Sequence, residues 1–223
     1  MKLLKINTIV LLMFFISILG CEKKRSSKTH KLNHNKELAE ELIDMATIDQ
    51  IAAGPFKKDD FATYEKYKTF KDSVFRVNKI KLEKIFNQYN YPGIDLVGKD
   101  GETSFWVMTQ HSDFDTIFQN KILIALKKQV KKGNAKPAHL ALLTDRILLN
   151  RKEKQVYGTQ VSYNKQGQAF SVFLKDSINV DYKRQEVGLK PLKNYLNQMT
   201  TSHFNMNKEN FTKRGVFRPN LYK

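Results

Sequence analysis

Apolar residues recur every three or four positions through most of the chain between residues 36 and 150. Side chains at this spacing lie on one face of an α-helix, so the pattern predicts a series of packed helices. After Lys154 apolar and polar residues alternate instead, and residues 164–167 have the composition of a hairpin turn. The sequence therefore predicts a mainly α fold of the α+β class, in which a helical domain carries one small β-hairpin.

Capping residues and turns set the expected boundaries of these elements. We predict helices over residues 36–53, 61–89, 103–110, 113–132, 137–150, 181–187 and 191–199, and hairpin strands over residues 155–163 and 169–174. Asn35 or Asn33 is placed to cap the first helix. Ser112 with Asp115 fits a capping box at the start of the fourth helix, where a hydroxyl and a carboxylate can accept from exposed amides.

The same spacing predicts which residues of these helices face the core. The residues expected to be buried are Leu38, Leu42, Met45 and Ile51 on the first helix and Val77, Ile80, Ile85, Phe86 and Tyr89 on the second. The fourth helix is apolar on more than one side, which indicates a central position. Trp106 stands among apolar neighbours, which favours a place in the core over a role in stacking on a sugar.

The N-terminal residues have the pattern of a targeting segment. Lys2 and Lys5 precede an apolar run, residues 6–19. The run is shorter than the roughly 20 residues that a membrane-spanning helix needs. The run ends in Ile18-Leu19-Gly20-Cys21, which resembles the lipobox of bacterial lipoproteins. The resemblance implies cleavage after Gly20 and acylation of Cys21. The acyl chains would insert into a lipid bilayer, which is therefore an expected partner. An ordinary secretory signal is the alternative.

Composition and charge divide the chain further. We predict a signal peptide over residues 1–20, a flexible basic tether over 21–35, the helical domain over 36–199 and a basic, aromatic C-terminal tail over 200–223. Cys21 is the only cysteine, so no disulfide within the chain is possible. The expected location is the bacterial cell envelope, as a membrane-anchored lipoprotein of the outer rather than the inner membrane.

The net charge of +17 indicates anionic partners. Such a surface attracts anionic lipid headgroups or an anionic envelope polymer, whereas the export signal argues against nucleic acid. The alternative is that the lysines only keep the surface solvated.

Polar side chains recur among large apolar residues between residues 105 and 160, where burial is costly without a partner. His111, which follows Gln110, is a candidate general base that Asp145 would orient. Arg146 offers a planar set of donors for an anion or a sugar, although an ion pair between Asp145 and Arg146 would be purely structural. The chain lacks a second histidine at helical spacing from His111, so we predict no metal and no cofactor.

A second polar group follows at Gln155, Tyr157 and Gln160, around a glycine that permits close approach. These side chains can bind a ligand or can satisfy neighbouring loops. No serine nucleophile elbow, phosphate-binding glycine loop or HExxH zinc motif is present in the sequence.

The order of these motifs resembles the bacterial family DUF6624, a domain of unknown function. The resemblance rests on Gln110-His111-x-Asp113, Phe118-Gln119, Leu143-Thr144-Asp145-Arg146, Gln155-x-Tyr157-Gly158-Thr159-Gln160, and Arg184 with Val187-Gly188-Leu189. It extends from about Asp49-Gln50 to Leu196, and it departs from the family pattern at Ser112, where alanine is usual. It implies a domain and a set of positions, including Arg184, but no activity.

Three functional hypotheses follow. The leading one is an envelope lipoprotein whose polar cleft binds a glycan, a peptide or an anionic polymer. The candidate ligand-binding residues are Gln110, Arg146, Gln155, Tyr157, Gln160 and Arg184. The alternative is a hydrolase-like enzyme that uses His111 and Asp145, with His111, Asp145, Arg146 and Tyr157 meeting at one concavity. The third is a structural or protein-interaction module.

Overall fold

The computed structural model of the chain describes residues 34–223. The predicted signal peptide, Cys21 and all but the last two residues of the predicted tether lie outside this range. The described residues form eight helices and one two-stranded antiparallel sheet, and 63% of them are helical, which confirms the predicted mainly α fold. None of the helices between residues 34 and 223 is long and apolar enough to cross a membrane.

The chain divides into two compact units, with the boundary between Ser112 and Asp113. The first unit contains α1 (Lys36–Ala53), α2 (Tyr64–Tyr89) and α3 (Ile94–Gln110). The second contains α4 (Thr116–Lys131), α5 (Pro137–Asn150), β1 (Val161–Tyr163), β2 (Ala169–Ser171), α6 (Val180–Glu186), α7 (Leu192–Met206) and α8 (Lys208–Lys213). The predicted domain, residues 36–199, therefore spans both units.

Three helices pack together in the first unit, where α1 contacts both α2 and α3. Leu42, Leu82 and Phe105 are completely buried, one on each helix. Asn35 caps α1 as predicted, because its Oδ1 accepts from the amide of Leu38 at 3.0 Å. Trp106 is 5% exposed and lies in the core, also as predicted.

The buried face of α2 agrees with the prediction only in part, since Ile85 is buried as expected. Val77 and Ile80 are about half exposed, and so is Ile51 on α1. Asn78 is buried instead, and its amide donates to the carboxylate of Asp49 at 3.2 Å. Asn78 thus lies on the same buried face as Leu82 and Ile85, and its bond to Asp49 satisfies the buried amide.

α3 begins earlier than predicted, at Ile94 instead of residue 103. Its two parts meet at Gly98, whose φ of 71° and ψ of 176° interrupt the helical backbone. Glycine adopts a positive φ without the steric cost that a side chain would add. Residues 94–102, which have the composition of a loop, are therefore helical on both sides of a kink at Gly98.

The start of α4 is set by one residue rather than by a capping box. Asp115 is the N-cap, and its Oδ1 accepts from the amide of Phe118 at 2.9 Å. Ser112, which the sequence predicted as the cap, instead directs its hydroxyl toward the carbonyl of Met108 at 3.4 Å. The capping-box prediction was therefore wrong, whereas α5 has the predicted bounds.

The β-hairpin is shorter than expected. Val161 pairs with Ser171 and Tyr163 with Ala169, and the sheet packs on α7. Residues 155–160, predicted as the first half of the strand, form irregular backbone apart from one parallel bridge between Gln155 and Leu174.

The C-terminal residues are more regular than the predicted tail. α7 runs through the expected boundary at Thr200, and α8 follows it. The Tyr222 hydroxyl donates to the carbonyl of Ala169 at 2.8 Å, and Asn197 accepts from the Tyr222 amide at 2.8 Å. These bonds attach the last residues to the hairpin and to α7.

Candidate functional site

His111 ends α3 and is held by a buried carboxylate of the first unit. Its Nδ1 lies 2.6 Å from Oδ2 of Asp49, which is completely buried on α1. The imidazole is 7% exposed and stacks on Phe75, with 4.7 Å between the ring centroids. Two neighbours fix the carboxylate, because Asn78 donates to its Oδ1 at 3.2 Å and Gln50 donates to its Oδ2 at 3.1 Å.

This arrangement has the form of an oriented acid–base pair. A carboxylate on one ring nitrogen fixes the imidazole tautomer and leaves the other nitrogen for proton transfer. Among the described residues, the hydrogen bond of the His111 ring is made by Nδ1, to Asp49. The sequence predicted Asp145 as the orienting carboxylate, but Asp49 occupies that role. Asp49-Gln50 already belonged to the motif pattern, although their partner was not evident. Gln110, beside His111, is completely buried.

The carboxylate of Asp145 accepts hydrogen bonds from several backbone amides of the second unit. It accepts from the amides of Val156 at 2.8 Å, Tyr157 at 3.1 Å and Thr159 at 2.9 Å, and from the Thr159 hydroxyl at 3.0 Å. Burial raises the pKa of Asp145, and these hydrogen bonds oppose the rise. The carboxylate thus holds residues 156–159 in their irregular path, which explains why these residues do not continue the strand.

The two glutamines of this segment also bond within the chain. The Gln155 side-chain amide donates to the carbonyls of Gln160, at 2.9 Å, and of Val172, while its Oε1 accepts from the Gln160 amide at 2.7 Å. The Gln160 side chain donates to the Thr159 hydroxyl at 3.3 Å. Both glutamines are therefore used to close the loop, which favours the structural alternative for them.

Side chains from other parts of the chain pack closely against Gly158. Its φ is 66°, and a Cβ at this position would lie 2.9 Å from the Ser171 hydroxyl and 3.1 Å from a methyl group of Leu192. The close approach that the sequence indicated here is an approach by the protein's own side chains.

Arg146 pairs with Asp113 instead of Asp145. Its Nε and one terminal nitrogen donate to the two carboxylate oxygens at 2.8 and 2.5 Å. Asn150 and Gln119 donate to the same carboxylate at 2.8 and 3.1 Å. Burial alone would raise the pKa of Asp113, but the hydrogen bonds and charge of Arg146 outweigh it, so the pKa is lowered. The expected ion pair between Asp145 and Arg146 does not form within the described residues.

Arg184 is 1% exposed and crosslinks three segments of the second unit. Its guanidinium donates to the carbonyls of Lys190 and Tyr157, each at 2.6 Å, and lies 4.8 Å from the ring centre of Tyr195. Burial lowers the pKa of Arg184, and the charges of Tyr195, Asp181 and Asp145 oppose this fall. Arg184 and Asp145 thus hold opposite sides of Tyr157.

The predicted site residues are therefore brought together only in part. Asp145, Tyr157, Gln155, Gln160 and Arg184 form one network, whereas Arg146 belongs to the neighbouring pair with Asp113. Burial raises the pKa of the Tyr157 hydroxyl, as do the charges of Asp145 and Glu186. His111 lies at the end of the first unit, so its predicted meeting with Asp145, Arg146 and Tyr157 stays a prediction.

An open groove that the sequence reasoning missed adjoins this network. It has a volume of about 350 Å³ and is lined by Leu148, Lys152, Glu153, Lys154, Val156 and Lys175. Its signal in the sequence was the charge-rich run that follows α5, but Lys175 comes from a segment two strands later. Within residues 34–223 no three His, Cys, Asp or Glu side chains are grouped so that they could hold a metal ion.

Comparison with known proteins identifies the family alone. No curated protein and no solved structure matches the chain. The profile described as a family of unknown function, DUF6624, matches residues 36–206, which include all three helices of the first unit and most of the second. The chain belongs to the DUF6624 family.

Proposed function

We propose that this protein is an envelope lipoprotein whose second unit binds an anionic ligand in the groove beside α5. The single observation that carries the proposal is that Lys152, Lys154 and Lys175 line one concavity. Exposed lysines that line one groove raise the local positive potential and so concentrate anions there. Glu153 also lines the groove, so a net positive charge of two remains to face a ligand.

The groove is held in shape by the Asp145 network. The Gln155 amide donates to the carbonyl of Phe173, and the Lys175 amide donates to the carbonyl of Gln155, both at 2.8 Å. These bonds keep Lys154 and Lys175 on adjacent backbone segments, and Asp145 holds the amide of Val156, another residue that lines the groove. A site that is formed before its ligand arrives loses less conformational entropy on binding.

Of the three ligand classes expected from the sequence, this groove favours an anionic polymer. The donors and acceptors of Gln155, Gln160 and Arg184 are used inside the chain, whereas the groove lysines are exposed. Its volume lies in the range of sites for small molecules or single units of a polymer. Leu148 and Val156 supply an apolar floor for the uncharged part of such a unit.

Calorimetric titration of the full chain with inorganic polyphosphate tests this proposal. Replacing Lys154 and Lys175 together by glutamine is expected to weaken binding about tenfold, because two of the three cations are lost. The matched control replaces Lys165 and Lys193, two exposed lysines outside the groove, and removes the same charge. Equal weakening by both double variants would mean that net charge, and not the groove, attracts the polymer.

The membrane anchor is proposed from the lipobox-like residues that end in Cys21. Mass spectrometry of the mature protein is expected to find acyl chains on an N-terminal Cys21. A mature N-terminus elsewhere, without acyl chains, would contradict the anchor and leave the groove proposal untouched.

A second candidate function is acid–base catalysis at His111. The observation that favours it is the 2.6 Å contact between His111 Nδ1 and a buried Asp49 that two amide side chains orient. Such an arrangement positions the imidazole as a base, with Asp49 as the positioning residue in place of Asp145. This candidate is the hydrolase-like enzyme expected from the sequence, with Asp49 replacing Asp145 as the partner of His111.

Chromogenic ester, phosphoester and glycoside probes test the second candidate. If His111 acts as a base, His111→Gln is expected to lower the turnover of the responsive probe by roughly 10²–10⁴-fold, and Asp49→Asn to lower it less. His203→Gln, a change at a half-buried histidine of the second unit, serves as the control. Turnover that is unchanged in His111→Gln would contradict a role for His111 as the base.

A further inference from the structure

The exposed side of α4 combines isoleucine with lysine in one stripe. Ile117 is 70% exposed and Ile124 is 61% exposed, although each is large and apolar. Lys121 and Lys128 are exposed as well. Residues at these intervals of four, three and four lie along one side of a helix. We call these four residues the α4 face.

The opposite side of α4 is already used. Phe118, Ile122 and Leu126 are at most 2% exposed, and α4 packs on α5. The helix therefore has a satisfied core face, and the exposed isoleucines are additional to it. This accounts for the apolar residues on more than one side, which the sequence had indicated as the mark of a central helix.

The charged residues within α4 have one sign. The helix contains Lys121, Lys127, Lys128 and Lys131 and no acidic residue between Thr116 and Lys131. A helix with lysines beside exposed aliphatic side chains is typical of segments that lie in the plane of an anionic membrane. The lysine ammonium groups stay at the headgroups while the aliphatic side chains enter the acyl region.

We propose that the α4 face docks the protein on an anionic lipid bilayer. A second copy of the chain fits the face poorly, because a two-fold contact would set lysines against lysines. The proposal goes beyond the polyphosphate groove and uses different residues. It also stands without the anchor, although acylated Cys21, 13 positions before His34, would hold the domain within about 45 Å of the bilayer.

Fluorescence quenching by lipids with brominated acyl chains tests the docking. The full chain carrying Ile124→Trp is mixed with vesicles of phosphatidylcholine, either alone or with phosphatidylglycerol. Trp106 is buried and gives the background, which the parent chain supplies for subtraction. The control is Ile178→Trp, because Ile178 is 90% exposed and lies outside α4.

The indole at position 124 is expected to be quenched several-fold more strongly in the anionic vesicles than the indole at position 178. Adding Lys121→Gln and Lys128→Gln is expected to weaken the vesicle association of that variant about tenfold or more, since each lysine near an anionic surface contributes. The groove variant, Lys154→Gln with Lys175→Gln, should leave the quenching unchanged, which separates this proposal from the groove.

Three results would overturn the docking proposal. These are equal quenching at positions 124 and 178, equal quenching in zwitterionic and anionic vesicles, and concentration-dependent dimerisation that Lys121→Gln and Lys128→Gln strengthen. Circular dichroism of each variant confirms beforehand that the helical fold is kept.

Discussion

Replacing Asp145 by alanine is expected to lower the free energy of unfolding by about 3–5 kcal/mol. The change leaves the amides of Val156, Tyr157 and Thr159 without their acceptor, and each buried donor that loses its partner costs about 1–3 kcal/mol. Removing the buried carboxylate also removes its desolvation cost, which keeps the total below the sum of the three. Urea denaturation followed by circular dichroism measures the difference.

The matched control for Asp145→Ala is Thr159→Val. It removes the hydroxyl that donates to Asp145 at 3.0 Å but keeps the three backbone amides bonded, so a loss of about 1 kcal/mol is expected. A stability of Asp145→Ala within 1 kcal/mol of the parent would show that residues 156–159 do not depend on the carboxylate. Asp145 would then return to consideration as a residue held for a ligand, because groups kept for function often contribute little to stability.

Replacing Arg184 by alanine is expected to cost about 3 kcal/mol. The guanidinium bonds the carbonyls of Tyr157 and Lys190, and hydrogen bonds to a charged group contribute about 1.5–3 kcal/mol each. Its contact with Tyr195 adds a cation–π interaction, which burial strengthens. The same urea denaturation measures the change.

Arg184→Lys separates charge from geometry. Lysine keeps the positive charge but lacks the planar fork that reaches both carbonyls and stacks on the tyrosine, so most of the loss should persist. A lysine variant as stable as the parent would mean that the cation alone is required. The double variant of Asp145 and Arg184 should lose less than the sum of the single changes, because both residues hold Tyr157.

These effects bear on the groove as well as on stability. Asp145 holds Val156, and the bonds of Gln155 place Lys154 beside Lys175. Variants that destabilise the conformation of residues 155–160 are therefore expected to weaken polyphosphate binding, and the most destabilised variant is expected to bind most weakly. His111 and Asp49 belong to the other unit, so variants there separate the acid–base candidate from the groove.

Local pattern in the sequence determined the class of the fold and several boundaries. α5 has the predicted bounds because proline fits the first turn of a helix and the apolar spacing continues to Asn150. Asn35 caps α1 because its side chain accepts a nearby amide, an interaction that spans three residues. The same local reasoning recognised that His111 and Asp145 stand in apolar surroundings, and both are buried. Arg184 was a candidate only through the family resemblance.

Tertiary structure alone decided the partners of these residues. His111 contacts Asp49 across 62 positions, and Arg146 contacts Asp113 across 33, so neither pair follows from helical or strand spacing. Asn78 of α2 bonds the same Asp49 across 29 positions and is buried, whereas its neighbour Val77 is exposed. Residues 155–160 have the alternation of a strand, but the Asp145 carboxylate accepts the amides of Val156, Tyr157 and Thr159, so these amides do not bond a neighbouring strand. A buried polar group is stabilised by whichever partner the fold brings to it, and periodicity does not name that partner.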